Sequence, residues 1–293
     1  VAWCDVPEIV RSAVHERVGT PVTAADIVVG RSSDLAVVLD FGDGRKVFCK
    51  GVRGVSKRMR WLRNEVGAAE LTDGIAPRVV FACDVGEWLV VGFEFLSGRR
   101  ANLRPGSRDL PSVREVVTRI AGIRAPRLKS LGERWAGTAW WHRLADEAPQ
   151  LVNGWDVDGA QRLSDHVPEL VDGDRLLHTD LHADQFVIGD GTIHVIDWGF
   201  PGRGAPWVDS AFLALRLFDA GHRIDEIEVP VDLRAQVAFF VYLAGFWTHM
   251  ALGAPGPGPQ HRAEVARRYA AHQVQRMPTM GKPAPWMDVC TPP

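Results

Sequence analysis

Asp180, Gln185 and Asp197 carry the side chains of this sequence whose types and spacing can do chemistry. They lie in Leu177-His178-Thr179-Asp180-Leu181-His182-Ala183-Asp184-Gln185 and, seventeen residues after Asp180, in Val195-Ile196-Asp197-Trp198-Gly199. A carboxylate, an amide five positions later, and a second carboxylate closing an apolar run before a glycine can hold a substrate hydroxyl and a magnesium ion together. In-line phosphoryl transfer needs that kind of set, because charge spreads over oxygens that cations must neutralise while the protein mainly positions. Asp180 is the residue to orient an attacking hydroxyl and accept its proton. Asp197 and the Gln185 amide oxygen are oxygen ligands suited to magnesium, with phosphates and water completing its shell.

Two plainer readings stand beside this one. His178, Asp180 and His182 alternate, and on a strand alternate side chains point the same way, as in some transition-metal sites. That reading leaves Gln185 and Asp197 unexplained. Asp180 and Asp184 could also be ordinary turn carboxylates, a reading that the downstream Asp197 weakens.

The elements that must position these groups can be read from local patterns. Phe186-Val187-Ile188, Gly189-Asp190-Gly191 and Ile193-His194-Val195-Ile196 predict a hairpin carrying both acidic positions to one place. Ala36 to Phe41, a turn at Gly42-Asp43-Gly44, and Lys46 to Lys50 predict another, with Lys50 at the end of its second strand. The chain prefers arginine, its lysines being Lys46, Lys50, Lys57, Lys129 and Lys282, so a strand lysine stands out, although strand ends also carry surface lysines. From Lys57 to Leu71 the residues Met59, Leu62, Val66 and Ala69 recur at helical spacing, placing Glu65 mid-helix as a partner for Lys50, with Glu70 as the alternative. The basic residues of that segment suit a solvated helix face better than a nucleic-acid surface. Ser32 and Ser33, in Gly30-Arg31-Ser32-Ser33-Asp34, could donate to phosphate, or form a plain turn.

With these residues assembled, the chain resembles the aminoglycoside phosphotransferase-like kinases, small-molecule kinases of protein-kinase-like fold. The resemblance rests on Gly30-x-Ser32, Lys50, Glu65, the run Trp88 to Gly98, His178-x-Asp180-Leu-His182 through Asp197-Trp-Gly, and Pro206-Trp207-Val208-Asp209. It implies an α+β fold of two lobes sharing a cleft, a small antiparallel-sheet N-lobe over 1–96 and a larger, mainly helical C-lobe over 97–293. It also implies ATP and Mg2+ as cofactors. Ser32, Ser33, Lys50, Glu65, Glu94 and Leu96 would hold the nucleotide, with adenine on the backbone near Glu94, Phe95 and Leu96. Asp180 would be catalytic, Gln185 and Asp197 would bind metal, and Asp209 would brace the catalytic loop from a buried helix. Gln185 departs from the family's usual asparagine. Its extra methylene moves the ligating oxygen by about 1.5 Å.

Length and composition bound the rest. The chain has 293 residues and a formal net charge of −2, which argues against a dedicated nucleic-acid binder. Helices are expected over 112–123, 135–148, 208–220 and 231–252. The last is apolar but interrupted by Gln236, Thr248 and His249, so a buried helix is expected and no membrane span. Gly253 to Pro259 reads as a loop and Met280 to Pro293 as a tail. Cys4, Cys49, Cys83 and Cys290 form no Cys-x-x-Cys pair. With no secretory signal from Val1 onward, free cysteines fit a reducing cytoplasm. The chain starts without methionine, as a trimmed one would.

For the acceptor, Asp219, Asp225, Glu226 and Glu228, with His222 among them, form an acidic run where the resembling family binds its substrate. That would favour a cationic small molecule such as an aminoglycoside-type antibiotic; a solvated turn explains the same letters. Trp140, Trp141, Trp155, Trp198 and Trp207 either wall a pocket or fill cores. Arginine and alanine bias fits high-GC bacterial coding, an association with antibiotic producers. The alternatives are a metabolic kinase for choline, a sugar or an amino alcohol, and a nucleotide-binding pseudokinase suggested by Gln185 and the glycine-poor loop.

Overall fold

The computed structural model describes residues 1–27 and 32–277. In chain order the elements are α1 (Glu8–Val18), β1 (Thr23–Asp26), β2 (Leu35–Asp40), β3 (Lys46–Arg53), α2 (Lys57–Ala69), β4 (Val79–Val85), β5 (Trp88–Glu94), β6 (Arg99–Arg100) and α3 (Leu110–Gly122). Then follow α4 (Leu131–Trp135), α5 (Trp140–Glu147), α6 (Val157–Asp165), α7 (Val167–Leu170), β7 (Arg175–Leu177), β8 (Phe186–Gly189), β9 (Thr192–Val195), β10 (Gly202–Gly204), α8 (Val208–Asp219), α9 (Leu233–Ala251) and α10 (Pro257–Gln275).

These elements form two compact units. The first comprises residues 1–101, 111–120 and 182–201, the second 102–110, 121–181 and 202–293. The expected division falls at residue 96, and the first unit also takes in 97–101, 111–120 and 182–201. The hairpin β8–β9 belongs to the first unit because it adds to β6 in a three-stranded sheet, with Arg99 opposite Ile188 and Arg100 opposite Val187. Val195 also donates to the Ile75 carbonyl at 2.8 Å. Pairing of backbone groups, which no local pattern reveals, moves the Asp197 segment into the N-terminal unit.

The core of the first unit explains the placement of Lys50. Its antiparallel sheet runs β1-β2-β3-β5-β4, and alternate residues of a strand face opposite sides. Leu35, Val37, Leu39, Val47 and Cys49 pack with Val10 and Val14 of α1. On the other side Phe48 and Val52 pack with Met59, Leu62 and Val66 of α2. Lys50 falls between Phe48 and Val52 in the alternation, so its side chain emerges on the α2 side. Gly92 on β5 leaves the space that the Phe81 ring occupies; an added Cβ would lie within van der Waals radius of that ring.

The second unit is built around α9, which packs against α5, α6, α7 and α10. Its start is capped by Asp232, whose Oδ1 accepts from the N–H groups of Arg234 and Ala235 at 2.9 and 3.1 Å. Trp135 stacks on Tyr242 at 4.6 Å between ring centroids, and Phe239 and Phe240 are fully buried. Among the described residues no helix is long and apolar enough to cross a membrane.

Other expectations meet the structure in detail. The helix expected over 135–148 is broken into α4 and α5, because Gly137 takes φ +68° and the Thr138 hydroxyl donates to the Trp135 carbonyl at 2.9 Å. The loop expected to last to Pro259 ends sooner. Pro257 opens α10 after Gly256 at φ +83°, a position where the missing proline N–H has no partner to lose. Gly30 and Arg31 of the loop expected to meet phosphate, and the tail from Met280, lie outside the described residues. Cys49 and Cys83 are buried free thiols, and burial pushes Cys49 up to about 12, leaving it protonated. Cys4 is free and exposed.

Candidate active site

In the first unit, Lys50 Nζ donates to Glu65 Oε2 at 2.9 Å and Oε1 at 3.1 Å, and also to Asp197 Oδ1. Glu65 is therefore the partner of Lys50; Glu70 is exposed at the end of α2. Burial alone would lower the Lys50 ammonium, but Glu65 and Asp197 more than offset this and hold it above its usual range. Burial raises Glu65, and the Lys50 charge opposes that rise. The result is a charged lysine facing two carboxylates in a nearly dry place.

The same helix reaches the Asp197 segment at two further points. Asn64 Nδ2 donates to the Gly199 carbonyl at 2.9 Å, and Trp61 packs on Phe200 with ring centroids 4.8 Å apart. Trp61, Asn64 and Glu65 sit at i, i+3 and i+4, one face of α2. Asp197 itself takes φ +63°, a left-handed conformation that aspartate tolerates better than most residues. Trp198 is 2 % exposed and donates to the Val195 carbonyl at 2.9 Å, a packing role.

Lys50, Glu65 and Asp197 line a cavity of about 420 Å³, together with Phe93, Glu94 and Leu96. Ser32 is exposed and Ser33 half-buried, and neither lines this cavity. The Glu94 N–H donates to the Arg78 carbonyl at 2.9 Å, and its carboxylate accepts from Arg78 Nε at 2.8 Å. Gln185 is 5 % exposed. With its amide nitrogen toward Asp197 it donates to Oδ2 at 3.2 Å and to the Asp184 carbonyl at 3.3 Å, while its oxygen accepts from His182 Nε2 at 3.0 Å. Turned by half a rotation, the Gln185 oxygen faces Asp197 Oδ2, so the two side chains can together offer oxygen donors to one cation. The donor set thus fits a hard divalent ion.

The second unit holds Asp180. Asp209, 1 % exposed at the start of α8, accepts from the N–H of His178 at 2.7 Å and of Thr179 at 2.9 Å. Burial raises this carboxyl, and His178 and the two amides oppose that. Thr179 takes φ +66°, costly for a β-branched residue. The two charge-assisted hydrogen bonds to Asp209 hold it there and so fix the backbone entering Asp180, whose N–H donates to His178 Nδ1 at 3.3 Å. That bond engages His178 internally. Among the described residues no cluster of histidine, cysteine and acidic side chains could hold a metal ion, so the His178-Asp180-His182 metal reading falls.

The acidic run expected to bind an acceptor is dispersed. Asp225 is paired with Arg223 through two hydrogen bonds of 3.0 and 2.7 Å, and Glu226 accepts from the Arg223 N–H at 3.4 Å. Asp219 binds His261 at 2.8 Å, Glu228 is exposed, and His222 donates through Nε2 to the Leu103 carbonyl at 2.8 Å. The tryptophans mostly fill cores: Trp141 and Trp207 are buried, and Trp141 packs on Trp155 at 4.7 Å.

Sequence reasoning missed Arg216 of α8, whose Nε donates to the Leu181 carbonyl at 3.2 Å and whose Nη2 lies 3.8 Å from Asp180 Oδ1. Its signal was present: in Val208 to Asp219 it is the sole residue of positive charge, set within an apolar run.

A sheet unit carrying a strand lysine paired to a helix glutamate, and a helical unit carrying a braced aspartate, define a small-molecule kinase of protein-kinase-like fold. Residues 56–240 match the phosphotransferase enzyme family, APH, and the chain belongs to that family. It is thus a phosphotransferase with a hydroxyl group as acceptor. Among solved structures it is similar to a thermostable mutant of aminoglycoside phosphotransferase APH(4)-Ia in ternary complex with ADP and hygromycin B, at 14% identity and TM-score 0.62, covering 90% of this chain and 97% of that one. It is similar to choline kinase LicA from Streptococcus pneumoniae at 13% identity and TM-score 0.60, covering 90% and 98%. Macrolide 2'-phosphotransferase MphH from Brachybacterium faecium follows at 13% and 0.56, covering 88% and 96%. None of the curated proteins matches the chain by sequence.

Proposed function

We propose that this protein transfers the γ-phosphoryl group of ATP, with Mg2+, to a hydroxyl of a small molecule, an antibiotic of the aminoglycoside type being the first class to test. The observation that carries the reading is the Lys50, Glu65 and Asp197 network lining a cavity large enough for a nucleotide. Lys50 holds phosphate oxygens, and Glu65 keeps it oriented. With the Glu94 N–H committed to Arg78, hydrogen bonds to adenine fall to the Glu94 carbonyl and the Leu96 backbone. Ser32 and Ser33 serve the phosphates from the end of their loop. Asp197 and Gln185 hold the magnesium, which when bound neutralises phosphate charge. Asp180 takes the hydroxyl proton as the oxygen attacks phosphorus. The similar proteins, one in complex with ADP and hygromycin B and one a choline kinase, support a hydroxyl acceptor without choosing one.

A second reading makes the acceptor a metabolite such as choline, a sugar or an amino alcohol. It is favoured by the pairing of the Arg223 guanidinium with Asp225, which offsets one of the four negative charges expected to draw a polycation. Glu226, Glu228 and, where it parts from His261, Asp219 remain as the carboxylates for a cationic acceptor. The pseudokinase reading is disfavoured because the lysine, glutamate and both aspartates are all present. A cytoplasmic location remains the expectation that fits ATP as donor and the free thiols.

The test is ADP release from ATP and Mg2+ across a panel of aminoglycosides, basic peptide antibiotics, nucleosides, choline and sugars. Asp180→Ala should lose at least about a thousandfold in acceptor-dependent turnover while binding ATP as before. Retained turnover would remove Asp180 from its role, and binding without transfer to any acceptor would favour the binding module.

A further inference from the structure

Arg216 sits about two turns along α8 from Asp209, seven residues on and so on the same face, and both side chains reach the segment 178–181. Its contacts differ in kind from those of Asp209. Asp209 grips the N–H groups before Asp180, whereas Arg216 takes the carbonyl after it: Nε donates to Leu181 O at 3.2 Å, and Nη2 stands 3.8 Å from Asp180 Oδ1. The guanidinium carbon lies 5.5 Å from the centre of the Trp247 ring on α9, which also carries Arg262 at 5.1 Å. Side-chain exposure is 17% for Arg216 and 36% for Asp180. A solvated arginine would gain little from an ion pair at this distance, but this one has lost most of its water. A charged group so placed within the apolar run Ala211 to Phe218 needs a reason other than packing, since a leucine would fill this stretch of α8 more cheaply.

We propose that Arg216 is a positioning residue for phosphoryl transfer, holding the Asp180 carboxylate and the Leu181 carbonyl in one fork so that the base keeps a fixed aim at the acceptor hydroxyl. The inference rests on Asp180 being the base. Burial lowers the Arg216 guanidinium, and Asp180 opposes that loss of charge, which is the reciprocal of the hold. A guanidinium presents donors in a rigid plane, so Nε and Nη2 can serve the two oxygens at once; the ammonium of lysine is a single mobile point and cannot. The catalytic gain lies in orientation, which acts on kcat and leaves the affinity for ATP alone.

Two variants separate this from a structural role. Arg216→Met keeps the apolar stem against Trp247 and removes the charge; Arg216→Lys keeps stem and charge and removes the fork. Steady-state kinetics with an acceptor identified by the ADP-release panel should give R216M a kcat lower by 30-fold or more, a KM for ATP within twofold of the parent, and R216K a kcat at least fivefold above R216M and at least threefold below the parent. If R216M melts early, R216K carries the test alone, because an unchanged kcat in a folded R216K overturns the proposal. R216M turning over within threefold of the parent, or R216K as slow as R216M, overturns it as well. Asp180→Ala run in parallel distinguishes the two claims: an active D180A defeats the assignment of the base, whereas an inactive D180A with a normal R216M defeats the fork alone.

Discussion

Two buried carboxylates, Glu65 in the first unit and Asp209 in the second, answer the same problem in opposite ways. Both are raised by burial. Glu65 is compensated by a cation, the Lys50 ammonium at 2.9 Å, and Asp209 by His178 together with hydrogen bonds from the backbone N–H groups of His178 and Thr179. An ammonium on a flexible stem can exchange partners, and Lys50 already divides itself between Glu65 and Asp197. Amides fixed in the chain cannot. The first arrangement suits a place where phosphate and metal must come and go, the second a place where one backbone conformation must be kept, including the left-handed Thr179.

The largest effect that would break this contrast lies at Lys50. Lys50→Met should lower kcat/KM for ATP by about a hundredfold or more and destabilise the fold by about 3 kcal/mol, because Glu65 is left buried without its cation. If the pair is there for function, Lys50→Met with Glu65→Leu should recover stability to within about 1 kcal/mol of the parent while remaining inactive. Urea denaturation of the single and double variants reads this directly, and a double variant as unstable as the single one would show that the pair serves folding.

At Asp209 the hydrogen-bond partners are main chain, so neither of them can be removed in compensation. Asp209→Ala should cost about 3 kcal/mol, with Thr179 released from its strained conformation and turnover falling with it. A stability loss below about 1 kcal/mol would mean that water or another group satisfies the two amides.

How far the sequence revealed these sites follows from the same distinction. Lys50 and Glu65 were legible because each lies in a strongly patterned element, and the strand alternation fixes which face Lys50 takes. Asp180, Gln185 and Asp197 were legible as a spaced set. What local patterns could not carry was pairing across distance: the addition of β8–β9 to β6, which moved Asp197 into the first unit, and the Arg216 contact with Asp180. The acidic run near Asp225 misled for a related reason. Its carboxylates were counted without Arg223, two residues away, whose guanidinium closes on Asp225. The break at Gly137 falls at a glycine within the expected helix, a residue readable as a stop.

The smallest expected effect tests the electrostatic side of the comparison through pH. The Asp209 carboxyl is raised above 3.8 by burial. Between that value and its folded value the native state keeps a proton that the unfolded chain has released, so stability falls as pH rises through the window, by at most about 1.4 kcal/mol per pH unit for one group. Asp209→Asn has no such proton. The stability margin of the parent over D209N should therefore be widest in acid and narrow as pH climbs from about 4, then level off. Asp225, lowered first by its hydrogen bond to Arg223, has the opposite sign: its contribution is present above its unfolded value and is lost as pH falls, so the margin over D225N should widen with pH. Urea titrations of the three proteins between pH 4 and 7 distinguish the cases. A D209N margin that instead widens with pH would mean that the two amides outweigh burial, and Asp209 would then join Glu65 as a carboxylate whose charge its partners secure.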